Sequence, residues 1–204
     1  MMGFENGLCT LLEDPDTVNE MFSCFCDFYE RLIPYCIKYY HPDMIVMGDD
    51  LCTERGSFIS MDTYQELLRP YYKRLIDTIH SYGVFFEFHM CGKCEPFIRD
   101  LVSLGINSWQ PAQGLNDLVG LKKEFGNKLI FDGTWSTNGP AGMPGASEET
   151  VRNEVRNCMD KLAVGGGMIF WNGDPVGSSK DQLKKMQWLD DEARTYGRNF
   201  YHKQ

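Results

Sequence analysis

The sequence predicts an α/β protein whose parallel strands follow the β/α-barrel (TIM) pattern. Three observations carry that expectation. Strand-like and helix-like stretches alternate along the 204 residues, and strands so separated pair in parallel through right-handed crossovers. Strand starts near positions 43, 84, 106, 128 and 168 are 41, 22, 22 and 40 residues apart, and the short spacings suit compact β/α units. No G-x-G-x-x-G follows a strand, which argues against a dinucleotide-binding sheet.

Taken in order, residues 3 to 13 form a short apolar opening without a clear period. Asp14-Pro15-Asp16 resembles an N-cap with proline at the first helical position. The helix it opens should reach about Tyr40, with Phe22, Phe25, Cys26, Tyr29, Leu32 and Ile33 as its apolar stripe. Pro34 predicts a kink or break in it. Asp43 to Met47 reads as a buried strand ending in Gly48-Asp49-Asp50. Ser60 caps a helix running to about Tyr82. Val84 to Met90 is the second strand, then a helix from Glu95 to Leu104. Ile106 to Gln110 is the third strand, followed by a helix from about Asn116 to Phe125. Lys128 to Asp132 is the fourth strand. A Gly- and Pro-rich loop leads to a helix from Ser147 to about Leu162. Met168 to Trp171 is the fifth strand, and a last helix spans roughly Ser179 to Tyr196. The whole chain reads as a single domain.

Composition narrows the function. A hydrophobic content of 43% with 24% charged residues is globular. A net charge of −9 excludes a nucleic-acid surface, which must be basic. No run is long and apolar enough for a membrane span, and the N-terminus lacks the basic and apolar regions of a signal peptide. Eight cysteines in a chain of this size fit free thiols in a reducing cytoplasm better than a disulfide framework. His80 and His202 are expected at the surface.

The polar residues gather at strand ends, where a β/α barrel does its chemistry. The first end carries Asp49 and Asp50. The second, in V-F-F-E-F-H-M-C-G-K-C, carries Glu87, His89, Cys91 and Cys94. The third carries Gln110 and Gln113, the fourth Asp132 and Thr134, the fifth Trp171, Asn172 and Asp174. Alternation along a strand aims Glu87, His89 and Cys91 one way. An acid, an imidazole and a thiol on one face are costly to bury without a partner. A metal ion of the zinc type, a polar substrate or a buried hydrogen-bond network each answers that cost. Asp49-Asp50 suits a cationic or hydrogen-bond-donating substrate group, or else a turn with an ion pair to Arg55. Ser60 is a helix cap whose hydroxyl either faces the site or does not. Trp171 stacks on a flat ligand or plugs the barrel end.

The run from Gly48 through Asp49-Asp50-Leu51 to Ser60, continuing to Arg69-Pro70-Tyr71-Tyr72-Lys73, resembles the uroporphyrinogen decarboxylase superfamily. So do His89-Met90-Cys91-Gly92-Lys93 and Gly165-Gly166-Gly167-Met168-Ile169-Phe170. The resemblance covers nearly the whole chain and implies a (β/α)8 barrel. It implies one of two activities: cofactor-free decarboxylation of uroporphyrinogen acetates, or methyl transfer between a corrinoid and a thiol on zinc held by H-x-C and a later Cys. The methyltransferase branch matches better. His89 and Cys91 stand at its first two zinc ligands, although the later Cys is missing. The decarboxylase's arginine-rich N-terminal segment and its His after the last strand are both absent, while Ser60 matches one of its substrate-contacting residues.

The resemblance thus implies zinc at His89 and Cys91, with Cys94 as the nearest further candidate, and a corrinoid carried by a partner protein. Asp50 and Glu87 are the candidate catalytic acids. Asp49, Ser60, Gln110, Asp132, Trp171 and Asn172 are the candidate substrate contacts. With about five of eight β/α units present, the barrel is incomplete. The expectation is a C-terminal portion completed by an N-terminal half-barrel or covered in a homo-oligomer. A carboxy-lyase and a non-catalytic barrel fragment are the alternatives.

Overall fold

The computed structural model describes residues 2–135, 139–171 and 179–200. Strands and helices alternate as the sequence predicts, and the strands hydrogen-bond in chain order, β1-β2-β3-β4-β5. The first and last strands end that order, so this is the α/β class with a parallel, unclosed β/α-barrel sheet. The chain divides into two compact units, residues 1–108 and 109–204.

In the first unit, helices α1 (Phe4–Glu13) and α2 (Pro15–Tyr40) precede strand β1 (Met44–Gly48). Of residues 3–13, expected to lack a period, Phe4–Glu13 are helical. Asp14 caps α2 by accepting a hydrogen bond from the Thr17 N–H at 3.3 Å, with Pro15 behind it. Pro34 lies inside α2 without breaking it. Proline removes a single helical N–H bond, and Cys26 and Ile33, both ahead of it in α2, are buried. The expected apolar stripe is only half covered: Phe25, Tyr29 and Leu32 are exposed.

The single helix expected over 60–82 is two, α3 (Met61–Leu67) and α4 (Arg69–His80). Pro70 has no N–H to continue the ladder, so the chain restarts at Leu68. Arg69 and the Tyr64 hydroxyl both donate to Asp100, pinning this corner to α5 (Glu95–Leu104). Strand β2 (Phe85–His89) pairs in parallel with β1. Phe86, Phe88, Tyr64, Ile76 and Ile98 fill the core between strands and helices. His80, expected at the surface, is half-buried and bonds Asn107 at 3.0 Å.

Strand β3 (Ser108–Gln110) begins as the first unit ends. The second unit continues with α6 (Leu118–Phe125), a 3-10 turn (Gly126–Lys128), β4 (Ile130–Asp132), α7 (Glu148–Leu162), β5 (Met168–Ile169) and α8 (Lys180–Arg198). Asp117, Ser147 and Ser179 cap α6, α7 and α8 through side-chain oxygens. Trp135, Val151, Val155, Met159 and Leu189 form the core against which α8 packs.

One charged cluster stabilises the α7–α8 contact. Glu192 is buried yet accepts from Arg156 at 2.6 Å and Arg152 at 3.2 Å. The Arg156 bond, ahead of the opposing desolvation, holds its carboxyl below the usual glutamate range. A depressed folded-state value stabilises above the unfolded value, and that stability disappears as pH falls through the folded value. The second unit should therefore loosen as pH drops through and below the ordinary carboxylate range. Glu192→Gln should cost about 1–2 kcal/mol at pH 7 and flatten that acid response. Urea midpoints against pH, followed by tryptophan fluorescence, check both.

Candidate metal and active site

The register of β1 on β2 builds the site. Val46 pairs with Glu87 and Gly48 with His89, so these four share one face of the two strands. Met47, Phe86 and Phe88 share the other face, against the helices. The strands come together most closely at Gly48. A methyl group there would stand 2.5 Å from both Cβ and the carbonyl oxygen of His89, so only glycine fits. Beyond the last pair, the Asp49 N–H donates to the His89 carbonyl at 3.1 Å. That extends the pairing and carries Asp50 alongside the chain after β2.

Asp50 Oδ1 accepts the Cys91 N–H at 2.9 Å. It lies 3.9 Å from His89 Nε2, and Cys91 Sγ is 3.6 Å from the same nitrogen. Ligand atoms of Asp50, His89 and Cys91 all fall within 4.8 Å of one another. Two loops hold this geometry. Gly92 takes a left-handed φ of 93° and packs on the Thr53 carbonyl, which also accepts the Lys93 N–H at 2.8 Å. The 49–60 segment folds back on itself through Thr53 N–H to Gly56 O and Phe58 N–H to Leu51 O.

The electrostatics favour a cation at this point. Desolvation first, and the Asp50 charge second, push the Cys91 thiol above its ordinary range. A carboxylate beside a would-be thiolate is unfavourable until a positive ion sits between them. Oxygen, nitrogen and sulfur donors at these separations fit a borderline ion bound about 2.0–2.3 Å from each. Three protein donors at a half-exposed spot leave room for a fourth ligand, the pattern of catalytic zinc.

The other candidates sit as follows. Glu87, on the same face as His89, is buried and accepts the Ser108 hydroxyl at 2.6 Å. Asp49 accepts the Tyr72 hydroxyl at 2.8 Å. Desolvation by the surrounding protein, opposed by that hydrogen bond, raises its carboxyl above the ordinary range, and the Asp50 charge adds to the rise. Neither aspartate pairs with Arg55 among the described residues. Ser60 caps α3, accepting the Thr63 N–H at 3.0 Å. Cys94 is fully buried at the start of α5, its thiol directed at the Met90 carbonyl, 3.7 Å away. A hydrogen bond with Cys52, then burial, raises Cys94 far above the thiol range, so it stays protonated. The structure thus brings Asp50 to His89 and Cys91, where sequence reasoning had put Cys94.

Gln110, Asp132 and Trp171 belong to the second unit. Gln110 ends β3 and Asp132 ends β4, both half-buried. The Trp171 ring covers Gly133, where a Cβ would meet it at 2.8 Å, and is 43% exposed. Asn172 and Asp174 lie outside the described residues. Sequence reasoning missed Tyr72 as the Asp49 partner and Cys52 as the Cys94 partner. Both pairings join separate loops and helices, and no local pattern announces them.

Comparisons with known proteins bear on the family and the fold. The family model described as Uroporphyrinogen decarboxylase (URO-D) matches residues 1–177. A solved structure of a methyltransferase from Methanosarcina mazei shares the fold with a TM-score of 0.51 at 15% identity, covering 76% of this chain. The chain spans 42% of that protein's length. No curated protein matches the chain.

Replacing Gly48 with alanine should force β1 and β2 apart at the site. The expected cost is about 1–3 kcal/mol, read as a lowered urea midpoint, with metal uptake falling in parallel.

Proposed function

Because the chain belongs to the uroporphyrinogen decarboxylase family, we propose that it acts as a methyltransferase-type member on a zinc ion held by Asp50, His89 and Cys91. The observation that carries this is the convergence of an oxygen, a nitrogen and a sulfur donor within 4.8 Å. Zinc bound there would keep an acceptor thiol as its thiolate at neutral pH, and a corrinoid on a partner protein would supply the methyl group. His89 gives a neutral donor, and Cys91 and Asp50 give negative ones. Asp50 also fixes the Cys91 backbone through its N–H, so one side chain serves both loop and ion. Glu87, buried two residues before His89, is anchored behind the site by the Ser108 hydroxyl. The same acids weigh against a porphyrinogen polycarboxylate, and hence against the carboxy-lyase alternative.

We also infer that the first unit is covered in the working protein. Strand β1 has a single strand neighbour among the described residues, β2. Beside it, Phe25, Phe28, Tyr35 and Tyr39 of α2 and Val46 of β1 are 50–67% exposed. A parallel edge next to an uncovered apolar helix face suits a further β/α segment. A complementing N-terminal half-barrel is the occupant we favour. Free cysteines throughout support a reducing compartment, the cytoplasm. No described helix is long and apolar enough to cross a membrane.

Protein purified without added metal should carry zinc near one per chain. His89→Ala and Cys91→Ala should lose it, Asp50→Asn should bind about 10–100-fold more weakly, and Cys94→Ser should retain it. Equal, negligible zinc in all of them refutes the metal reading; the measurement is elemental analysis with a chromogenic chelator competition. Sedimentation tests the covered edge. A stable species of twice 23.5 kDa would assign it to a second copy instead. A monomer binding a hydrophobic dye, with binding lost in Phe28→Glu/Tyr35→Glu, is the result expected of a face awaiting another chain.

A further inference from the structure

A second cavity, of about 290 Å³, lies on the opposite face of the β1–β2 pair. Phe86 and Phe88 of β2 form its floor, Phe25 and Tyr29 of α2 one wall, and Tyr72 of α4 another. Its volume stands near the low end of small-ligand pockets, about 300 Å³. Aromatic side chains make up about half of the lining, with Cys26, Met47, Leu68 and Leu75 between them, and the ionisable carboxyl at its rim is that of Asp49.

Charge decides what such a cavity suits. Among the described residues no basic side chain pairs with Asp49. The cations of the adjoining helix are already committed: Arg69 to Asp100, Lys73 to Asp77, and Arg74 to Asp27 and Glu30. The polar contact of Asp49 is the Tyr72 hydroxyl, at 2.8 Å. A ring face attracts a cation, and several rings with one carboxylate form the cage that recognises substituted ammonium groups. A neutral apolar molecule would satisfy the rings and leave the carboxylate unmatched. A strongly hydrated cation such as a metal ion would waste the rings.

We propose that this cavity binds a small quaternary or tertiary alkylammonium compound, its alkyl groups against the rings of Phe25, Tyr29, Phe86 and Phe88 and its positive charge beside Asp49. The site is separate from the Asp50–His89–Cys91 cluster, which uses the other face of the strands, and needs no metal.

Choline and its uncharged carbon isostere, 3,3-dimethylbutan-1-ol, separate charge from shape. Proton NMR titration of the full chain, with a chelator present so that zinc plays no part, is the test. Choline methyl signals should move upfield and saturate, while the isostere binds at least about tenfold more weakly. Asp49→Asn should reduce choline to the level of the isostere, and Phe25→Ala, at an exposed position, should weaken both. Circular dichroism of each variant checks its fold, and the comparison on the unaltered chain stands without any variant. Equal binding of the two probes, or no saturable shift with either, overturns the proposal.

Discussion

The close approach of β1 to β2 at Gly48 and His89 is the constraint on which the rest depends. Two strands at ordinary separation leave space for side chains on both. Here a methyl at 48 would collide with the His89 backbone. The absence of that methyl lets the Asp49 N–H reach the His89 carbonyl, and the chain then passes Asp50 directly beside Cys91. The donor cluster is thus a consequence of backbone contact. Its side chains need only ordinary rotamers, because the two segments that carry them are already adjacent.

Charge placement follows from the same contact. Asp50 and Cys91 are brought together by an N–H bond that would form whatever ion is nearby, and the carboxylate then disfavours the thiolate. Such an arrangement gains little in stability for the free protein. It becomes favourable once a positive charge is shared, which is the usual reason for putting like-charged donors side by side. Cys94 shows the contrast. Its burial and its bond with Cys52 keep it a neutral thiol, so proximity in sequence to His89 and Cys91 does not make it a donor.

The alternation of strands and helices was readable because apolar runs and caps are local. Ser147, Ser179 and Asp117 cap where side chains of those types are expected to. The face shared by Glu87 and His89 was readable for the same reason, since period two is a property of the strand itself. Register was not. Pairing of Gly48 with His89 joins positions 41 residues apart, and it is register that exchanges Cys94 for Asp50 at the cluster. The split of residues 60–82 was visible in Pro70 but was read through, because the apolar period continues across it. The half-covered stripe of α2 was hidden for another reason. Periodicity tells which side of a helix is apolar and says nothing of whether a neighbour covers it.

The adjacent aspartates show how far a single residue of register reaches. Successive side chains leave an extended segment on opposite sides. Asp50 therefore joins His89 and Cys91, while Asp49 turns to Tyr72 and the aromatic cavity. One carboxylate serves an ion site among hydrogen-bond donors and the other stands at the rim of a ring-lined space. A shift of one position between β1 and β2 would turn each to the opposite face, taking the Tyr72 partner away from the aromatic cavity and Asp50 away from the donor cluster. The steric demand at Gly48 forbids that shift, because any other residue of β1 would bring a Cβ against His89. The glycine therefore fixes which acid does which task, and two dissimilar sites can share one pair of strands.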